Sequence, residues 1–165
     1  MFGQLSIEPE RFARERGELQ GVLSLAEMPR IAEQLFDLIG DIRYCVRGHL
    51  TEQGNPALAI KITGGVNLRC ERCLERLQFG LRLGREVVFA RGTDEFQPRD
   101  DEDDLVDVVP AVPRLDLQAL LEEEVMLGLP MAPRHAEGEC HAPSTAGGGE
   151  ERQPSAFAAL AKLKQ

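Results

Sequence analysis

Tryptophan is absent, tyrosine occurs once, and aromatic residues make up only 5% of the 165 residues. Proteins that hold single strands by stacking bases need aromatic side chains on an open face, and this chain has few to offer. Lysine is scarce as well, with 3 against 16 arginines. No apolar run approaches the roughly 20 residues of a membrane-spanning helix. The first ten residues carry Glu8 and Glu10 and lack a basic stretch followed by an apolar one, so they do not read as a secretory signal, and the expected compartment is the cytoplasm. Four cysteines are too few for a disulfide scaffold at this length. There is no P-loop, no GxGxxG and no Ser-His-Asp arrangement. No nucleophile, base and oxyanion site are found together, and the reading is of a protein that is not an enzyme.

What is present is unevenly charged. The net charge is -9, but residues 94–107 alone hold eight acids against one base. The remainder is close to neutral, so the overall acidity describes one segment and does not exclude a nucleic-acid partner. That segment lacks the mid-loop glycine and terminal glutamate of an EF-hand and reads as a solvated loop.

Hydrophobic periodicity predicts an α+β fold. Glu18–Leu25 reads as a short strand, and Met28–Leu38 has the spacing of a helix. Ile42, Tyr44, Val46 and Leu50 alternate with Arg43, Cys45, Arg47 and His49, the pattern of a half-buried strand. A turn at Gln53–Pro56 leads to the alternation Leu58, Ile60, Ile62, with a bulge expected at Gly64–Gly65 before Val66 and Leu68. Phe79, Leu81, Leu83, Val87 and Phe89 mark a further strand. Short, adjacent runs favour an antiparallel meander that can curl toward a barrel. Asp116 caps a helix whose apolar side is Leu117, Leu120, Leu121 and Val125, with Glu122, Glu123 and Glu124 mostly opposite. Residues 1–141 are expected to form one domain. Residues 142–153 read as a flexible linker, and 154–165 as an amphipathic helix presenting Phe157, Leu160 and Leu163 to a partner.

Cys70 and Cys73 fall near a hairpin tip between two strands. Two thiolates two residues apart can share a tetrahedral metal, and His135 with Cys140 could complete a closed structural zinc site, with His141 as a substitute ligand. Two other readings stand beside it. The pair could be plain reduced thiols, or a redox pair whose pKa values are lowered by Arg69, Arg72 and Arg76, although thioredoxin-like motifs belong where a strand enters a helix. Cys45 and His49 are about 13 Å apart along one strand and cannot be co-ligands. The hairpin is locally basic. Arg69, Arg72 and Arg82, with Arg43 and Arg47 on the wet face of the neighbouring strand, form a candidate footprint for RNA phosphate; an ordinary solvated face would look the same.

The segment Val66–Glu75, with Cys70-Glu71-Arg72-Cys73-Leu74 at its centre, resembles the Cys-x-Arg-Cys-Leu signature of the YceD family, the large ribosomal RNA subunit accumulation proteins. The acidic segment, the helix opening at Leu115-Asp116-Leu117, the run Leu129-Pro130-Met131-Ala132-Pro133-Arg134-His135 and the final Cys140 are similar to that family in the same order. The tail resembles its Pro-Phe-Ala-x-Leu ending, except that Ser155 and Ala156 separate Pro154 from Phe157. The resemblance spans about residues 18–165. It implies a bacterial or plastid-type factor for the synthesis, processing or stability of 23S ribosomal RNA, with that RNA, a pre-50S particle or ribosomal proteins as partners and no small-molecule substrate. The rival classes are a thiol oxidoreductase using Cys70 and Cys73, and a zinc-stabilised protein-interaction module without RNA contact.

Overall fold

The computed structural model describes residues 5–90 and 106–140. Its elements are β1 (Ser6–Ile7), α1 (Pro9–Arg14), β2 (Glu18–Ser24), a 3-10 turn (Leu25–Glu27), β3 (Asp41–Leu50), β4 (Pro56–Arg69), β5 (Arg76–Ala90), β6 (Val106–Pro110), β7 (Leu115–Asp116) and α2 (Leu117–Gly128).

Strands β2 to β5 form the expected antiparallel meander. The fifth strand, β6, departs from it by pairing parallel to β5 at the sheet edge, with Glu86 opposite Val106 and Ala90 opposite Pro110. Among the described residues the sheet is open rather than barrel-like. Val106 and Asp107, expected at the end of the acidic loop, are part of β6. The rest of that loop, the linker and the C-terminal segment with Phe157, Leu160 and Leu163 lie outside the described residues. β1 and β7 form a separate two-stranded ladder that ties the N-terminal segment to the start of α2, where the Leu117 N–H donates to the Leu5 carbonyl at 2.8 Å.

One sheet face carries the core. Ile42 and Val46 of β3, Leu58, Ile60, Ile62, Val66 and Leu68 of β4, and Leu81, Val87 and Phe89 of β5 are buried there. Leu117, Leu121 and Val125 of α2 belong to the same cluster. Each such aliphatic side chain contributes about 1.5–3 kcal/mol on leaving water. The Asp116 carboxylate accepts the Ala119 N–H at 3.1 Å and starts α2, while Leu129-Pro130 ends it. The bulge expected at Gly64–Gly65 does not form. The register runs unbroken, with Gly64 opposite Leu81 and Gly65 opposite Gly80. A Cβ at Gly64 would sit 2.9 Å from the Asp41 carbonyl oxygen, and that close approach explains this glycine.

Two sequence expectations are corrected. The helix over Met28–Leu38 is absent. In its place are turns closed by Ala32 N–H to Pro29 O and Gln34 N–H to Ile31 O. The Glu122 carboxyl group accepts the N–H groups of both Arg30 and Ile31, and Leu35 bridges to Leu68 beside the end of β4. Met28, Ile31 and Leu35 are still buried, so the spacing identified the inward residues but not the backbone. The second correction concerns α2, where Glu122 and Glu124 are not on a wet face but are 4% and 3% exposed. The segment before β2 forms α1. Pro9 opens it, and Arg14–Glu10 at 2.8 Å with Arg11–Glu15 at 2.9 Å brace it one turn apart.

Glu124 Oε2 has no hydrogen-bond partner and lies 3.8 Å from Arg85 Nε. Burial pushes its pKa up, Asp107 adds to the rise, and Arg85 opposes it. A raised value means that the folded state holds the proton more tightly than the unfolded chain. Stability from this group is therefore greatest below the ordinary value near 4.5 and falls as pH rises. Glu124→Gln is expected to raise the urea midpoint at pH 7 and to lose that advantage near pH 4.5. Glu122→Ala strands two backbone donors and is expected to cost about 2–3 kcal/mol in urea unfolding.

Candidate metal centre and the basic sheet face

β4 and β5 outrun β3. Ile42 pairs with Gly64, so beyond this point β4 and β5 continue as an arm whose β4 edge is joined by the Leu35–Phe36 segment, with Phe36 N–H donating to Asn67 O at 2.7 Å. The arm closes at Arg69 opposite Arg76, and the turn between them holds Cys70 and Cys73. Cys70 N–H donates to Glu75 O at 3.0 Å, Leu74 N–H donates to Cys70 O at 2.9 Å, and Arg72 N–H points at the Cys70 sulfur at 3.4 Å. Leu74 takes a left-handed φ of 62°, which tightens the turn.

The segment after α2 returns to this turn. Glu71 N–H donates to Pro133 O at 2.8 Å and clips the two together. Gly138, at φ 87°, reverses the chain between His135 and Cys140, and Glu139 N–H closes the reversal on Ala136 O at 3.1 Å.

Cys70, Cys73, His135 and Cys140 thereby converge, with all four donor atoms within 4.8 Å of one another. Cys70 Sγ is 3.7 Å from Cys140 Sγ, and His135 Nδ1 is 3.3 Å from Cys73 Sγ and 3.8 Å from Cys140 Sγ. A tetrahedral ion with metal–sulfur bonds of about 2.3 Å needs sulfurs about 3.8 Å apart, and this cluster is that size. His135 Nε2 lies 3.1 Å from the Arg76 carbonyl. Donating there places the ring proton on Nε2 and turns the Nδ1 lone pair toward the sulfurs, the outer hydrogen bond that metal-binding histidines use.

Burial works to raise the Cys70 pKa. Hydrogen bonds from the backbone at Cys73, His135 and Arg72, with one from the Cys73 side chain, outweigh it and bring the thiol down to about 5. Burial and then the neighbouring sulfurs push Cys140 up, and the hydrogen bond to Cys70 raises His135. The arrangement is compatible with a metal site. A Cys-x-x-Cys turn between two strands, with a histidine and a third cysteine folded onto it, does not match the strand-to-helix junction of thioredoxin-like redox sites.

The candidate arginines divide. Arg43, Arg47, Arg69 and Arg82 are exposed on the outer sheet face, whereas Arg72 belongs to the cysteine turn. Arg47 is paired with Glu18 at 3.2 Å, and Arg69 lies over the Phe36 ring at 5.8 Å. Register places Arg43, Thr63 and Arg82 in one row across three strands, with Lys61 in the next row. Lys61 was not singled out by its sequence context; its odd-numbered place in the β4 alternation is the signal that marks it.

The family model for the large ribosomal RNA subunit accumulation protein YceD matches residues 58–164. This chain belongs to the YceD family. The Haemophilus influenzae protein named large ribosomal RNA subunit accumulation protein YceD is 26% identical over 172 residues, covering 98% of this chain and 95% of its own length. No solved structure matches the chain. The YceD match takes in all four residues of the cluster and both strands of the arm. Among the described residues no helix is long and apolar enough to cross a membrane.

The geometry predicts that cobalt(II) added to the reduced, metal-free protein gives the visible and thiolate charge-transfer absorption of a tetrahedral site at one equivalent. Cys70→Ser and Cys140→Ser are each expected to abolish that spectrum, and an unchanged spectrum in Cys140→Ser would remove this residue from the ligand set.

Proposed function

We propose that this YceD-family chain is a cytoplasmic, non-catalytic factor that sustains accumulation of 23S ribosomal RNA by binding the RNA or a large-subunit precursor. The observation that carries the reading is the row Arg43–Thr63–Arg82 with Lys61 beside it, whose cations make no ion pair among the described residues. Unpaired arginine and lysine on one sheet face supply the counterion-releasing contacts that phosphate binding needs. Zinc at Cys70, Cys73, His135 and Cys140 is structural in this reading. Four protein ligands leave no open position for substrate, and the ion would fasten the segment 131–140 to the β4–β5 arm. Pro154–Gln165, outside the described residues, is assigned to partner binding through Phe157, Leu160 and Leu163.

A protein contact is the second reading, favoured by Leu74 at 61% exposure and Met131, fully exposed, both close in sequence to the cysteine turn and its clip at Pro133. Depletion of the protein in growing cells is expected to lower 23S relative to 16S ribosomal RNA, read by quantitative electrophoresis. An unchanged ratio overturns the accumulation reading. Retention of the normal ratio by a doubly substituted Arg43→Glu, Arg82→Glu protein would shift the contact to ribosomal proteins.

A further inference from the structure

Three glycines on the outer face have no explanation inside the fold. Gly65 and Gly80 stand directly opposite each other on β4 and β5, and Gly84 is opposite Lys61. All three are exposed, and none has a left-handed φ. Among the described residues a Cβ at Gly80 or Gly84 would meet nothing within 4 Å, and one at Gly65 would meet only the Phe79 carbonyl oxygen at 4.0 Å. Other glycines are accounted for by packing. Gly21 lies under the Tyr44 ring, Gly48 against Phe12, and Gly128 against Leu83. Glycine in a strand interior weakens it, and where neither conformation nor packing requires it, the remaining reason is that something else approaches the backbone closely.

The surroundings give the chemistry of what approaches. On the turn side of the Gly65–Gly80 pair stands Arg69 opposite Arg76, and on the other side the row Arg43–Thr63–Arg82, then Lys61. At the usual rise per residue the flanking rows are about 20 Å apart along the strands, and Arg43 and Arg82 are about 10 Å apart across them. The stacking of Arg69 on Phe36 orients its guanidinium. The ion pairs Glu18–Arg47 and His49–Glu86 lie toward the opposite end of the same face, so the unpaired cations border the glycine floor. Two further carboxylates border this part of the face among the described residues: Asp41 at the start of β3, and Asp37, whose Oδ1 accepts from Asn67 Nδ2 at 2.8 Å in the row between the glycine pair and Arg69–Arg76.

We infer that the Gly65–Gly80 pair floors a groove that seats the phosphate–sugar backbone of double-stranded RNA between these arginine rows. This rests on the ribosomal RNA reading above and narrows it to one ligand form. Tyr44 and Phe79 of β3 and β5 pack against the core rather than on the groove, and the ring of Phe36, the exposed aromatic at its border, is covered by the Arg69 guanidinium, so the strands offer no free platform for stacking unpaired bases. Duplex RNA is recognised by shape and by backbone contacts instead, and a glycine floor with the polar pair Asn67–Gln78 beside it, set between cations, accommodates it.

The test uses the full-length, zinc-loaded protein and measures fluorescence anisotropy with a labelled 20-base-pair RNA duplex and the corresponding single strand over a salt series. Wild type is expected to prefer the duplex. Gly80→Val and Gly65→Val place a strand-favouring side chain in open space. They are expected to keep the wild-type melting temperature while weakening duplex binding about tenfold or more. Arg43→Gln with Arg82→Gln, which leaves packing untouched, is expected to reduce the slope of log affinity against log salt by about two. Unchanged duplex affinity in both valine variants overturns the groove and leaves RNA binding standing. Preference for the single strand overturns the duplex assignment. Absence of binding to either RNA, with the protein still sedimenting with large-subunit precursors, overturns this inference and the RNA contact together and places the contact on protein.

Discussion

The ladder between β4 and β5 is the constraint on which the other features depend. It is the longest pairing among the described residues, running from Ala57 opposite Val88 to Arg69 opposite Arg76. Its inner face supplies Ile60, Ile62, Leu68, Leu81 and Phe89 to the core, and its outer face carries Lys61, Arg69 and Arg82. Because side chains alternate strictly, a slip of one residue would exchange the two sets. The same ladder extends past β3 and ends in the turn that holds Cys70 and Cys73. A continuous register therefore couples the core, the basic face and the cysteine cluster.

Helix α2 is fastened to this sheet partly by polar groups. Glu122 satisfies the N–H groups of Arg30 and Ile31, which a helix over Met28–Leu38 would have left at its own N-terminus. Gln118 also donates to the Glu27 carbonyl at 2.7 Å. Glu124 sits against Arg85 of β5. The two carboxyl groups thus do different things from one helix: Glu122 completes the backbone hydrogen bonding of a connection, and Glu124 faces a strand cation at the cost of its own desolvation.

The cysteine cluster is where the chain solves a problem of reach. The segment 131–140 has no regular secondary structure, and a short stretch of this kind gains little from burial. It is held to the arm by one backbone hydrogen bond from Glu71 to Pro133, by the His135 contact to the Arg76 carbonyl, and by the three sulfurs around the ring. A shared ion would convert these weak contacts into a fixed junction between the end of α2 and the tip of the β4–β5 arm.

The linear chain by itself determined which residues face inward. Alternation marked β3, β4 and β5, Asp116 marked the start of α2, and Met28, Ile31 and Leu35 were recognisable as buried even though their backbone was misjudged. The members of the cysteine cluster were also legible as candidates, because a Cys-x-x-Cys pair between strands invites two further donors and His135 and Cys140 stand in one short segment. Tertiary structure decided the rest. The backbone over 28–38 closes in turns rather than a helix, and Glu122, some ninety residues away in sequence, accepts the Arg30 and Ile31 N–H groups there. Glu122 and Glu124 became buried because their partners lie on other elements, which helical periodicity cannot reveal. The parallel setting of β6 depends on the sheet edge left open by β5. The glycine floor exists because Gly65 and Gly80 meet across a register that no local pattern records. Local sequence carries the periodicity of burial, whereas pairings between distant groups are set only when the chain closes on itself.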